Sequence, residues 1–85
     1  MQREGSSDEK RKREPRGQAP AATRRAFAAW VRRVGGSREA AALLDVSRSY
    51  VDMIRGGQRA PGLVTAYRIE RRTDGRIRMQ AWITL

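Results

Sequence analysis

The fold of this chain is decided by residues 37–56, which read SREAAALLDVSRSYVDMIRG. Ser37 and Ser47 are residue types that favour the N-cap position, where a side-chain oxygen accepts from the first turn of a helix. The apolar spacing typical of a helix breaks at residues 45–47. Asp45 occupies a place where the backbone often has a positive φ, which Asp tolerates better than most residues. The stretch therefore predicts two short helices joined by a three-residue turn.

Four apolar residues give this pair of helices a predicted inner side. Ala41 is small enough to let two steeply crossing helices approach closely, and Val46 can fill the space beneath the turn. Val51 and Ile54 stand three residues apart and are predicted to hold the second helix against the first. The same spacing would also suit a plain three-helix bundle.

One helix is predicted before this stretch and one after it. From Thr23, apolar residues recur at helical spacing until Gly35-Gly36 ends the helix: Phe27, Trp30, Val31 and Val34. Gly56-Gly57 ends the helix that follows Ser47. Pro61 stands where a further helix can begin, and its predicted inward residues are Leu63, Ala66 and Ile69.

The last predicted features are a turn at Thr73-Asp74-Gly75 and a final segment from Ile77 to Leu85. That segment alternates imperfectly between apolar and polar residues. A short strand and one helical turn both remain open, with Trp82 docking on the core in either case. The predicted fold class is all-α, with four to five helices.

The first twenty residues differ in composition from the rest. They are rich in Arg, Glu, Ser, Gly and Pro and contain no aromatic residue, which is the composition of a segment that cannot bury enough surface to become ordered. We therefore predict a disordered basic arm over residues 1–21 and one domain over residues 22–85. The run Lys10–Arg13 is either a set of phosphate contacts or part of a solubilising tail, and both interpretations remain open.

The chain carries a formal net charge of +10. Residues 1–20 hold six basic and four acidic side chains, whereas residues 21–85 hold thirteen basic and five acidic ones. All thirteen of those basic residues are arginine, which suits bidentate contact with phosphate or guanine better than lysine does. The predicted domain is itself basic, and this favours nucleic acid as its partner.

Several function classes are excluded by composition. The chain has no Cys and no His, so it lacks thiolate metal sites, disulfides and the usual general base near neutral pH. No pair of carboxylates, activated serine or phosphate-binding glycine loop is evident. We expect no enzyme activity, cofactor, metal or small-molecule substrate. No apolar run suggests a membrane span or a secretory signal, which predicts a cytoplasmic protein without a membrane partner.

Four stretches of the predicted domain resemble the Cro/lambda-repressor (XRE-like) helix-turn-helix family. Within that family, the chain is most similar to the small Cro-like and YdaS-like phage regulators. The resemblance spans Thr23 to about Ile77. It rests on Phe27-x2-Trp30, Gly35-Gly36, Ala40-Ala41-x2-Leu44-x-Val46-Ser47-x2-Tyr50-Val51-x2-Ile54-x-Gly56 and Ile69-Glu70-x2-Thr73-x-Gly75-x-Ile77. Two residues depart from the family pattern: Asp45 replaces a common glycine, and Ser37 stands where many members have Gln.

The resemblance implies a lambda-repressor-like domain whose third helix enters the major groove. It further implies a phage-type or prophage-type transcriptional repressor that recognises an inverted-repeat operator in double-stranded DNA. Two alternatives are an autoregulatory antitoxin or anti-CRISPR-associated regulator with a protein partner, and an accessory DNA-binding protein of phage packaging or recombination.

Three residues on the outer side of the third helix are predicted to read base edges. Arg48 lies near its N-terminal end, which usually meets the bases, and can bind guanine O6 and N7. Ser49 is small and fits close to the groove. Met53 either contacts a thymine methyl group or fills a gap in the core. Asp52 would repel phosphate, so it either accepts from a cytosine amine, faces away from DNA or pairs with Arg48 or Arg55. Pairing is favoured, because these arginines stand four residues before it and three after it on a helix.

Contacts to the DNA backbone are predicted from five further positions: Arg38, Ser47, Tyr50, Arg55 and Arg59. Arg38 lies in the first turn of the second helix, whose amide groups also attract an anion. The loop Gly56-Gly57-Gln58 lacks large side chains and would let its backbone approach a phosphate. Tyr50 either donates to a phosphate or is a half-buried ring that braces the second helix.

A homodimer is expected because one recognition helix contacts too few base pairs to specify a site. The best candidate for its interface is the C-terminal segment with Ile77, Met79, Trp82, Ile83 and Leu85. The same segment would serve equally well to close the core of a monomer.

Overall fold

The computed structural model describes residues 19–83, which form four α-helices and one short 3-10 helix. Helix α1 spans Ala21–Arg33, α2 spans Ser37–Leu44, α3 spans Arg48–Arg55 and α4 spans Leu63–Arg72. The 3-10 helix is Met79–Trp82. The described residues contain no strand, which confirms the predicted all-α class. The predicted arm lies almost entirely outside them.

A single apolar core joins the four helices to the 3-10 helix. Phe27 is fully buried at its centre, stacks on Trp30 at 5.9 Å between ring centroids, and meets the edge of Trp82 at 5.6 Å. Such aromatic pairs add roughly 0.5–1.5 kcal/mol beyond the burial of their surface. Within the C-terminal segment, Met79–Trp82 form a helical turn and not a strand, and Trp82 docks on the core as predicted.

The connection between α2 and α3 is a turn of three residues, Asp45, Val46 and Ser47. Asp45 has φ 59° and ψ 48°, and the Val46 amide donates to the Ala41 carbonyl at 3.0 Å, which closes the end of α2. Ser47 begins α3 as its N-cap, since its hydroxyl oxygen accepts from the Tyr50 amide at 3.1 Å. The predictions of a left-handed Asp45 and a capping Ser47 are confirmed.

Two arginines of α4 stabilise the C-terminal end of α2. Arg68 donates from Nη1 to the Leu44 carbonyl at 3.0 Å, and Arg72 donates from Nε to the Leu43 carbonyl at 3.1 Å. The last carbonyls of a helix have no partner within it and carry partial negative charge, so guanidinium groups satisfy them. These two cations therefore have structural contacts within the protein.

Two predictions about helix starts are wrong. Gly36, with φ 118°, is the N-cap of α2, while Ser37 is the first helical residue and its hydroxyl donates to another helix. Helix α4 begins at Leu63 after Gly62, not at Pro61. Leu63 was predicted to face inward but is 74% exposed, because this first residue of α4 extends past the end of the core. Ala66 and Ile69 are buried as predicted.

Within residues 19–83, none of the helices combines the length and apolar character needed to cross a membrane.

Candidate nucleic-acid interface

Helix α3 has one fully buried side and one open side. Val51 and Ile54 are completely buried in the core, as their spacing predicted. Ser47, Arg48, Ser49 and Arg55 are exposed, and the Arg48 side chain is 68% accessible. Helical geometry places residues 48, 52 and 55 along one stripe and residues 49 and 53 along the next. Most of the polar residues predicted for DNA contact thus share one accessible surface.

Asp52 links the open side of α3 to the start of α2. Its Oδ1 accepts a hydrogen bond from the Ser37 hydroxyl at 2.6 Å and lies 3.4 Å from Nη2 of Arg55. Its Oδ2 lies 3.9 Å from Nε of Arg48. The predicted pairing is confirmed with both arginines. Because the carboxylate contacts both, it restrains the two guanidinium groups on the same side of the helix.

An open cleft of about 480 Å³ separates the first turn of α2 from the exposed stripe of α3. Three arginines predicted to contact DNA surround it, namely Arg38, Arg48 and Arg55. The amide groups at the start of α2 add partial positive charge to the same cleft. Its complete lining is Gly35, Gly36, Ser37, Arg38, Glu39, Arg48, Asp52 and Arg55.

Tyr50 connects α3 to the start of α4. The ring is half-buried, and its hydroxyl oxygen accepts from the Gly62 amide at 2.9 Å. The Arg59 guanidinium lies 5.8 Å from the centre of the same ring, which is within the range of a cation–π contact. Tyr50 therefore holds the loop after α3 and also packs against the apolar core. Its hydroxyl keeps a proton that it can donate, so a phosphate contact stays a prediction.

The loop that follows α3 is partly filled by a side chain from α1. Gly57 is buried, has φ +83°, and lies so close to the Arg24 guanidinium that an added Cβ would collide with it. The expectation that both glycines leave open backbone for a phosphate is therefore wrong at Gly57. Gly56 is exposed.

Two residues of the predicted interface, Met53 and Ser47, are less available for DNA contact than the others. Met53 is half-buried, so the structure leaves both of its predicted roles in place. Ser47 is exposed, but its oxygen already caps α3. The Ser37–Asp52 hydrogen bond and the packing of Arg24 against Gly57 were not predicted from the sequence. Each of these contacts connects residues of two separate elements, which spacing along the chain does not indicate.

The residues that the structure describes hold no cluster of three or more carboxylates, histidines or cysteines suited to a metal ion. The side chains and backbone that line the cleft offer three guanidinium groups, backbone amides, the Ser37 hydroxyl and the two carboxylates of Glu39 and Asp52. These groups are hydrogen-bond donors and cations for the most part, which suits the binding of an anion.

Comparison with models of known protein families, with curated proteins and with solved structures finds no match to this chain.

Proposed function

We propose that this protein binds double-stranded DNA sequence-specifically, with α2 and α3 acting as a helix-turn-helix and α3 lying in the major groove. The observation that carries the proposal is the two-sided character of α3. Val51 and Ile54 fix one side in the core, while Arg48 and Ser49 stay accessible at its N-terminal end. A helix anchored in this way can enter a groove as a rigid body.

The exposed residues of α3 match what base edges offer. Arg48 presents two guanidinium nitrogens to guanine O6 and N7, a pairing worth roughly 1–3 kcal/mol of discrimination. Ser49 lies on the neighbouring stripe and is short enough to permit a close approach. Met53 lies one turn further along and provides an apolar contact for a thymine methyl group.

Phosphate contacts would surround these base contacts and set the position of α3. Arg38 and Arg55 border the cleft between α2 and α3, and Arg59 lies against Tyr50 at the other end of the helix. Ser47 and Tyr50 complete the set of proposed backbone contacts. Guanidinium groups on two sides of a helix can contact the phosphates of both DNA strands that border a groove.

We further propose that the bound protein acts as a transcriptional repressor of phage or prophage type at an inverted-repeat operator. The support for this step is the resemblance of residues 23–77 to Cro-like regulators. A small DNA-binding domain that occupies a promoter represses transcription by excluding other proteins from the same DNA.

Selection from random duplex DNA at about 0.2 M salt tests the proposal, because that salt concentration suppresses non-specific binding. The expected result is a recurrent motif that contains an inverted repeat, with half-sites about one helical turn apart. Val51→Asp serves as the unfolded control, because it places a charge in the fully buried position that anchors α3. If the DNA recovered with the wild-type protein shows no motif enriched over the starting library, sequence-specific binding is contradicted.

A further inference from the structure

One part of the surface combines exposed apolar side chains with a groove. An apolar groove of about 480 Å³ runs between α4 and the 3-10 helix. It is lined by Pro61, Leu63, Ala66, Glu70, Arg78, Met79, Gln80, Trp82 and Ile83. Large apolar residues that are exposed within residues 19–83 lie on this groove or on the adjoining turn of α4: Leu63, Val64, Tyr67 and Ile83. We call this region the α4 patch. Grouped apolar exposure of this kind marks an interaction site in a small protein.

The groove is a fixed part of the fold. Glu70 of α4 accepts from the Met79 amide at 3.2 Å, and Trp82 is buried against Phe27. For Ile77 and Trp82, which the sequence assigned either to a dimer interface or to the core of a monomer, burial in the protein's own core supports the second alternative, and Leu85 of the same set lies outside the described residues. The accessible apolar groups are instead Leu63 and Val64 of α4 together with Ile83.

The charges of the groove are compatible with a second copy of this basic chain as the partner. Residues 21–85 carry thirteen basic against five acidic side chains, so most surfaces of two copies would repel each other. The groove is different, because its lining holds one carboxylate, Glu70, and one guanidinium, Arg78. In a two-fold arrangement Glu70 of each copy can face Arg78 of the other.

The shape of the patch fits the same partner. A two-fold interface brings the same surface of both copies together, so that surface must complement itself. The α4 patch has projecting side chains, Leu63 at 74% and Ile83 at 59% exposure, beside the groove. Projections of one copy can therefore enter the groove of the other.

We infer that a second copy of this chain docks on the α4 patch, with Leu63 and Ile83 of each copy seated against the groove of its partner. The inference rests on the proposed function, since an inverted repeat requires two joined domains. The patch is also continuous with the proposed DNA interface, because Gly62 at the start of α4 donates to Tyr50 of α3. Docking there would fix the separation of the two α3 helices.

A single introduced cysteine tests this inference, because the natural chain contains none. In Leu63→Cys, reaction of the thiol with a maleimide should slow about tenfold or more as the protein concentration rises from about 1 µM to about 1 mM. The control is Ala26→Cys, at an exposed position of α1 outside the patch, where the rate should stay constant. An unchanged rate in Leu63→Cys overturns the inference. Concentration-independent protection in a chain that sediments as a monomer also overturns it, because the occupant would then be another part of the same chain.

Sedimentation equilibrium provides the second measurement. The wild-type chain should approach twice its monomer mass of 9.6 kDa, and Leu63→Glu and Ile83→Glu should both shift it to the monomer. Glutamate at the first position of α4 is compatible with the positive end of a helix, and thermal unfolding followed by circular dichroism confirms that the variant folds. Ala26→Glu adds the same charge elsewhere and should remain a dimer.

The two proposals fail separately. A wild-type chain that stays monomeric at about 1 mM yet selects a DNA motif overturns docking on the α4 patch and leaves the proposed function standing. A chain that dimerises through Leu63 but selects no motif overturns the proposed function and leaves the interface standing.

Discussion

Asp52 is the residue that most shapes the chemistry of the exposed side of α3. Its carboxylate contacts Ser37, Arg48 and Arg55, and its side chain remains 43% exposed. In a surface proposed to meet DNA, a carboxylate has two effects. It orients the guanidinium groups that it contacts, and it repels phosphate wherever the fit to DNA is loose.

Replacement of this carboxylate should separate affinity from specificity. In Asp52→Asn, the repulsion disappears and Arg48 is less restrained, so binding to scrambled DNA should tighten roughly threefold to tenfold. Discrimination between the selected motif and scrambled DNA should fall. Fluorescence anisotropy with both duplexes measures the two effects.

Asp74→Asn is the matched control for this charge change, since Asp74 is exposed and lies in the turn after α4. It should alter both affinities equally and slightly. Equal changes for Asp52→Asn and Asp74→Asn would show that Asp52 contributes only to the net charge.

Ser47 has two possible contributions that substitutions can distinguish. Its oxygen caps α3, so Ser47→Ala should lower the free energy of unfolding by about 1 kcal/mol. Aspartate is an equally good N-cap but places a negative charge at the proposed interface. Ser47→Asp should therefore keep the stability of the wild type and lose DNA affinity roughly tenfold or more. Urea unfolding and anisotropy measure these quantities, and unchanged DNA binding by Ser47→Asp would remove Ser47 from the interface.

At the scale of elements, the relative placement of α2 and α3 depends on one left-handed residue and two contacts from α4. Asp45 adopts φ 59°, and its carboxylate lies 3.9 Å from Arg68, whose Nη1 also donates to the end of α2. The exposed ion pair contributes little, so the conformation of Asp45 is the main local determinant of the turn.

Two substitutions isolate that conformational cost. Asp45→Ala and Asp45→Gly both remove the carboxylate, but only alanine carries a Cβ into the left-handed region. The glycine variant should be more stable than the alanine variant by about 1 kcal/mol in urea unfolding. Equal stability of the two variants would mean that the turn relaxes out of the left-handed conformation.

Local sequence patterns were sufficient to predict most elements but not their mutual contacts. The 3.6-residue spacing predicted α1 to α4 and the buried positions Val51 and Ile54, and the type of residue predicted the roles of Asp45 and Ser47. Ser37 was misassigned because its oxygen has a partner fifteen residues away, and no local rule indicates that partner. The capping of α2 by Arg68 and Arg72 depends likewise on tertiary packing.

The C-terminal segment also shows that local sequence patterns do not indicate tertiary contacts. Its alternation was too short to separate a strand from a helical turn, and the structure resolves the choice through packing of Trp82 on Phe27. Leu63 fitted the apolar spacing of α4. It is nevertheless exposed, because it is the first residue of the helix and the core does not extend as far as that end. Periodicity identifies a face of a helix but does not show where the core ends.

On the scale of the whole molecule, the charge is divided between structural and accessible arginines. Arg68 and Arg72 donate to carbonyls of α2, and Arg24 lies against Gly57. Arg38, Arg48, Arg55 and Arg59 are exposed around α3. The proposed DNA surface and the α4 patch adjoin at Gly62, which donates to Tyr50, so a second copy on the patch would lie beside the helix proposed to meet DNA.

The affinities of Arg48→Ala and Arg59→Ala for the selected duplex and a scrambled duplex test most directly whether α3 reads bases. Arg48→Ala should weaken binding to the selected duplex by roughly 1–3 kcal/mol, with little effect on the scrambled one, and relax the preference at one base pair. Arg59→Ala should weaken binding to both duplexes alike and reduce the dependence on salt by about one counterion. Equal losses on the two duplexes for both variants would contradict base recognition by α3.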